Sequence, residues 1–280
     1  MSASRSKLPL APSEVFALVR ELRTSANEDR PLVVAGVREL GAALRRELAR
    51  GGVASAVRDE ASLDEAAVLV YVLAGRADDA DVAVLKQASN KGTPIVAVLA
   101  GPGGEDLPDP PYALAEHVVR VQPGAGFPTE AIAGAIAHAL GEHATPLAAR
   151  LPVLRNAVVD RLIAKFSRQN AFIGVAVFVP GADMPVLTVN QIRLLMRIAD
   201  AYGFALDKER IPEVLGVVGS GLGFRAVARS LLGVVPLAGW AVKGGVAYGG
   251  TRALGEAARR YFESRAPVTR VPGDRSTFPR

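Results

Sequence analysis

Gly36 and Gly41 follow the apolar run Leu32 to Ala35, at the glycine positions of a phosphate-binding loop of the form G-x-x-x-x-G-K-[ST]. In such a loop backbone N–H groups cradle the phosphates, the lysine reaches the outer ones, and the hydroxyl holds magnesium. The two positions after Gly41 are Ala42 and Ala43. The frame is therefore present without the groups that grip a triphosphate. Gly36 and Gly41 read as vestigial, and the sequence assigns no catalytic residue and no cofactor.

Other chemistry-bearing positions are few. Val214 to Ala226 contains G-x-G-x-x-A behind an apolar run, the form of a dinucleotide fingerprint. The ribose-binding acid that should follow about 20 residues on is missing, since no acidic residue occurs between Glu213 and Glu256. His117 adjoins an expected strand, and His138 and His143 fall at an expected helix end. All three read as satisfied or solvated side chains, so no metal ligand is assigned. Asp183, in the turn Pro180-Gly-Ala-Asp, is best placed to cap the helix that follows Pro185. With no cysteine, disulfides, thiolate metal sites and thiol nucleophiles are excluded.

The elements that would position these residues alternate in the first half. Ser13 to Ala26 reads as a helix with Phe16, Leu18 and Leu22 on its apolar stripe. Strands are expected at Leu32 to Ala35, Val53 to Val57, Val68 to Leu73, Ile95 to Leu99 and His117 to Val121. Helices are expected at Glu39 to Arg50, Val82 to Asn90 and Thr129 to Leu140. Continuous apolar strands alternating with helices imply a small doubly wound parallel sheet. Thr145-Pro146 marks the boundary, after which helical patterns take over: Leu147 to about Asn170, a helix ending at Tyr202 with Gly203 as its cap, and the segments 208–232 and 237–265. The expected organisation is a leader over 1–12, a P-loop-like α/β domain over 13–144, an all-α helical-hairpin domain over 145–265, and a tail over 266–280. Leader and tail are expected to be disordered.

Charge is divided unevenly. Residues 1–149 carry 14 basic and 19 acidic side chains, residues 150–280 carry 19 and 9. A basic, glycine-rich, aromatic-poor half favours an anionic membrane surface over nucleic acid, which needs aromatics for base stacking. Met1 to Leu10 lacks an apolar core of signal-peptide length, so a cytoplasmic-side location is expected.

The first half resembles the Era-like GTPase domain in its order of strands and helices. That resemblance places a guanine-reading Asn-Lys-x-Asp after Ile95 to Leu99, where this chain has Ala100-Gly101-Pro102-Gly103. It places the magnesium-linked Asp-x-x-Gly near Asp59-Glu60-Ala61-Ser62, which keeps the aspartate and loses the glycine. The second half is similar to the YcjF-type domain of unknown function over about residues 147–264. The similarity rests on Pro180-Gly-Ala-Asp-Met-Pro-Val-Leu, Asn190-Gln-Ile-Arg-Leu-Leu-Met196, Ala201-Tyr-Gly203 and Arg259-Arg-Tyr-Phe262. That family lies C-terminal to Era-like domains and is regarded as membrane-associated. The resemblance implies a non-catalytic, pseudo-GTPase-like adaptor or scaffold. A nucleotide switch with a rearranged site and a basic nucleic-acid binder are the alternatives.

Small residues recur every fourth position at Ala241, Gly245, Gly249, Ala253 and Ala257, with a similar pair at Gly219 and Gly223. Such a ladder lets another helix approach closely. A protein partner or a second copy is therefore expected at Ala241, Gly245, Gly249 and Ala253. Uncharged stretches are interrupted by Arg225, Arg229 and Lys243, which predicts peripheral contact or partial insertion at the inner membrane rather than a simple span.

Overall fold

The computed structural model describes residues 30–101, 106–122, 124–176, 184–204 and 240–266. The helix expected over 13–26, the Asp183 turn, the segment 208–232 with Gly219 and Gly223, and the leader and tail lie outside the described residues, apart from Ala266. The chain falls into two compact units, one holding residues 28–161 with 201–203, the other 162–200 with 204–265.

The first unit is α/β. Five parallel strands, β1 (Leu32–Gly36), β2 (Val57–Arg58), β3 (Val68–Leu73), β4 (Ile95–Leu99) and β5 (Val118–Arg120), stand in the order β2-β1-β3-β4-β5. This is the order of a flavodoxin-like doubly wound sheet, whose direction of winding reverses between β1 and β3. All six residues of β3 and all five of β4 are buried. Their uninterrupted apolar runs are what a sheet covered on both faces requires. Val33, Ala35, Leu69, Tyr71, Leu73 and Leu99 form one core with Leu85 and Ala88 of α2 (Asp79–Asn90). Gly41, in α1 (Arg38–Leu48), is buried with a Cβ-sized space between it and Val34.

Helix α2 starts earlier than its apolar pattern suggests. Asp78 caps it by accepting from the Asp81 N–H at 2.8 Å, and the Asp81 side chain accepts from the Asp78 N–H at 3.0 Å. The Tyr71 hydroxyl donates to the same Asp81 carboxylate at 2.8 Å, tying the cap to β3. A capping box with acid at both positions does the work of the usual Ser and Glu.

Helix α3 (Thr129–Leu140) is followed by two helices where the sequence suggested one: α4 (Thr145–Arg150) and α5 (Pro152–Ala176). Pro152 explains the break, because proline cannot donate into a continuing helix and pushes Leu151 into extended backbone. Helix α4 belongs to the α/β unit: the Val53 N–H donates to Arg150, and the backbone there passes so close that a Cβ on Gly52 would lie 2.6 Å from the Arg150 carbonyl oxygen. By contacts, the division between the two units falls inside α5, after Arg161.

The second unit contains the rest of α5, then α6 (Met184–Ala201) and α7 (Trp240–Glu263). A buried polar chain joins all three. The Asn190 amide donates to the Asn170 carbonyl oxygen at 3.0 Å, and the Asn170 amide donates to the Thr251 hydroxyl at 2.8 Å. Asn170 and Thr251 are fully buried. Asp200, near the end of α6, keeps a little exposure, yet burial pushes its carboxyl up to about 7, with Arg197 pulling the other way. A carboxyl so shifted is largely protonated below neutral pH and carries little buried charge there.

Candidate functional site

The strand-to-helix turn after β1 carries the two glycines singled out by spacing. Only Val37 separates Gly36, the last residue of β1, from Arg38, the first of α1. Of the four residues between the glycines, three are therefore already helical, and no loop remains to wrap a phosphate. The Val37 N–H, which a phosphate would need, donates instead to the Val72 carbonyl of β3 at 3.0 Å. Glu39 places a carboxylate in the first turn of the helix, where an anionic ligand would meet it.

Gly36 is required by the fold itself. Its φ is +96°, and a Cβ there would come within 2.9 Å of the Val72 nitrogen and carbonyl carbon and closer still to the oxygen. Gly41 is different in kind: a Cβ would meet Val34 at 3.8 Å and the Ala35 oxygen at 3.9 Å, ordinary contact distances. On the far side of the same crevice the Ala100 N–H donates to Leu73 at 2.8 Å, and Gly101 lies directly against the Ala74 carbonyl. In open α/β sheets ligands enter at the carboxyl ends of the strands where winding reverses. Here the backbone of the turns after β1 and β4 is held against the end of β3. Asp59, at the position resembling a magnesium-linked aspartate, pairs with Arg45 of α1 at 3.3 Å.

A second constellation forms at the edge of the sheet, from residues that their spacing gave no reason to join. Glu116 and His117 lie on the short helical turn Ala115–His117 that leads into β5, and His138 lies in the last turn of α3. The Glu116 carboxylate is 3.8 Å from His117 Nε2 and 3.8 Å from His138 Nδ1. The imidazoles meet edge to face with centroids 5.2 Å apart. One ligand atom from each of the three residues can be chosen so that all lie within 4.8 Å of one another. His117 is buried and its pKa is lowered, first by desolvation and then by His138, against a smaller raising effect of Glu116. The backbone of Ile95 beside the ring also opposes the lowering.

The cluster opens on a cleft of about 520 Å³ between β5 and α3. Ala131, Gly134, Ala135 and His138 line its helical wall, and Val118 and Arg120 its strand wall, with Arg161 also at the lining. These four α3 positions follow the i, i+3, i+4, i+7 rule of one helix face. The cleft exists because three of them are small. His143 is exposed and is not part of the cluster.

In the helical unit the small-residue ladder of α7 is placed differently from expectation. Gly245, Gly249 and Ala253 are exposed, and among the described residues neither glycine has another group near its missing Cβ; the side chain of Ala241 lies outside the described residues. The close approach is made at two glycines outside the ladder. A Cβ on Gly244 would lie 2.7 Å from Val175 and 3.2 Å from the Ala171 oxygen, and one on Gly255 would lie 2.6 Å from Ile163. Helices α5 and α7 thus pack antiparallel through Gly244 and Gly255, with Leu254, Ala258 and Phe262 buried on that side. Thr251, on the packed side, accepts from the Asn170 amide of α5 at 2.8 Å, and the stripe of Gly245, Gly249 and Ala253 is left facing away from α5.

No protein-family model matches the chain, and no curated protein matches it in sequence. Among the described residues no helix is long and apolar enough to cross a membrane.

Proposed function

We propose that this chain is a non-catalytic, pseudo-GTPase-like protein, a degenerate P-loop-like α/β unit joined to a YcjF-like helical unit, acting as an adaptor or scaffold at a membrane surface. The observation that carries the first part is the single-residue turn at Val37, which leaves no loop to hold a phosphate. Ala42 and Ala43 in place of the lysine and hydroxyl, and the engagement of Asp59 by Arg45, support the same reading.

The membrane part rests on charge and on exposed apolar groups. In the described helical unit the large exposed apolar side chains are Phe172, Val175 and Val186, near the end of α5 and the start of α6. Phe172 is 73% exposed. Apolar side chains gathered on a basic protein half suit an interface where they enter the acyl boundary and Lys and Arg meet anionic headgroups. The exposed stripe of Gly245, Gly249 and Ala253 remains the surface proposed for a partner or a second copy, since an unpacked helical glycine costs roughly 1 kcal/mol against alanine. The location that follows is cytoplasmic and peripheral.

Flotation of the full chain tests the membrane part. It should rise with vesicles containing an anionic lipid and stay down with purely zwitterionic ones, and Phe172→Ser should weaken partitioning by roughly tenfold, the effect of losing one inserted aromatic side chain. Failure to float with either lipid would remove the membrane from the account.

A further inference from the structure

The edge cleft carries chemistry that the adaptor reading does not use. Two imidazole nitrogens and one carboxylate oxygen are the donor set of open transition-metal sites, in which three protein ligands leave a position for water or a substrate group. Hard cations such as magnesium and calcium prefer oxygen donors and would be poorly served. Bonds of about 2.0–2.1 Å in tetrahedral geometry place neighbouring ligand atoms about 3.3 Å apart. The Glu116 oxygen is 3.8 Å from each imidazole nitrogen. The three ligand atoms lie within 4.8 Å of one another, so the side chains must draw inward on binding, which rotamer adjustment of the exposed Glu116 and the half-buried His138 allows.

We propose that Glu116, His117 and His138 form a binding site for a divalent transition metal of the zinc class, with the open coordination position facing the cleft. The His117 ring is buried beside the backbone of Ile95, so the chain around it holds its orientation, as the surroundings of metal-bound histidines do. Arg161 and Arg120 also reach the lining, Arg120 already paired with Asp109 at 2.8 Å. Small residues at Ala131, Gly134 and Ala135 leave room at the open position. The inference stands apart from the proposed adaptor role, since the site lies at the other end of the sheet order from β1 and uses none of the same residues.

The test is titration of the full, chelator-stripped chain with zinc alone, read by calorimetry and by metal content after gel filtration, with cobalt as a spectroscopic probe. One zinc per chain with micromolar affinity is expected, and cobalt should give the visible absorption of a low-coordinate nitrogen and oxygen site. His138→Ala should weaken binding by at least about tenfold with the melting temperature of the metal-free chain nearly unchanged, and Glu116→Gln should weaken it by a smaller factor. His143→Ala should leave binding as it is. Absence of binding at roughly tens of micromolar zinc would overturn the proposal. So would wild-type affinity in His138→Ala, or an equal loss in His143→Ala.

Discussion

Gly36→Ala is expected to destabilise the α/β unit by about 4 kcal/mol or more, enough to unfold many domains outright. Two effects act together. A positive φ costs a residue with a Cβ about 1–3 kcal/mol, and that Cβ would overlap the Val72 backbone, which cannot move because it is bonded on both sides in the centre of the sheet. Gly41→Ala should do the opposite. It sits in a helix with room for a methyl group, so stability should stay level or rise by up to about 1 kcal/mol. Chemical denaturation of the two variants separates the explanations for the glycine pair. A phosphate cradle would need both glycines for the ligand, whereas a strand-to-helix crossing needs only Gly36 for the fold. Equal effects at the two positions would refute the distinction.

Asn170→Ala is expected to cost the helical unit about 2–4 kcal/mol. The substitution removes the middle of a buried chain, leaving a cavity where the amide was and stripping Thr251 and Asn190 of their partner at once. Asn190→Ala should cost only about 1 kcal/mol, because Asn190 is partly exposed and water can replace what it loses. The double variant should be little worse than Asn170→Ala alone, which is the non-additivity of a shared network. Denaturation midpoints of the three variants provide the check. Full additivity would show that the bonds are incidental to the packing of α5, α6 and α7.

Much of the α/β unit was legible because burial writes itself into composition. Val68 to Leu73 and Ile95 to Leu99 are uninterrupted apolar runs, and the structure makes both of them strands with the expected bounds. The start of α2 was read too late because Asp78 and Asp81 look like a polar loop until the reciprocal bonds of a capping box are considered. Pro152 signalled the break between α4 and α5, yet the apolar stripe through Leu151 and Leu154 continues across it and hid the signal.

The sites were less legible for a different reason. Local spacing showed Gly36 and Gly41 but could not show how many residues the turn would use, which depends on where helix α1 begins. The histidine cluster could not be read at all. Glu116 and His117 are neighbours in the chain, but His138 reaches them only after β5 and α3 have been laid side by side. In α7 the period of four drew attention to Gly245, Gly249 and Ala253, while the glycines that meet α5 are Gly244 and Gly255, whose positions carry no repeat that singles them out.

We propose that the β1 to α1 turn of this sheet holds no nucleotide. Calorimetric titration of the full chain with GTP and with ATP, each with and without magnesium, addresses it directly. The account predicts no saturable heat for either nucleotide up to the millimolar range, in either condition. Saturable, magnesium-dependent binding in the low micromolar range, lost on replacing residues at the β1 to α1 turn that leave the fold intact, would contradict it.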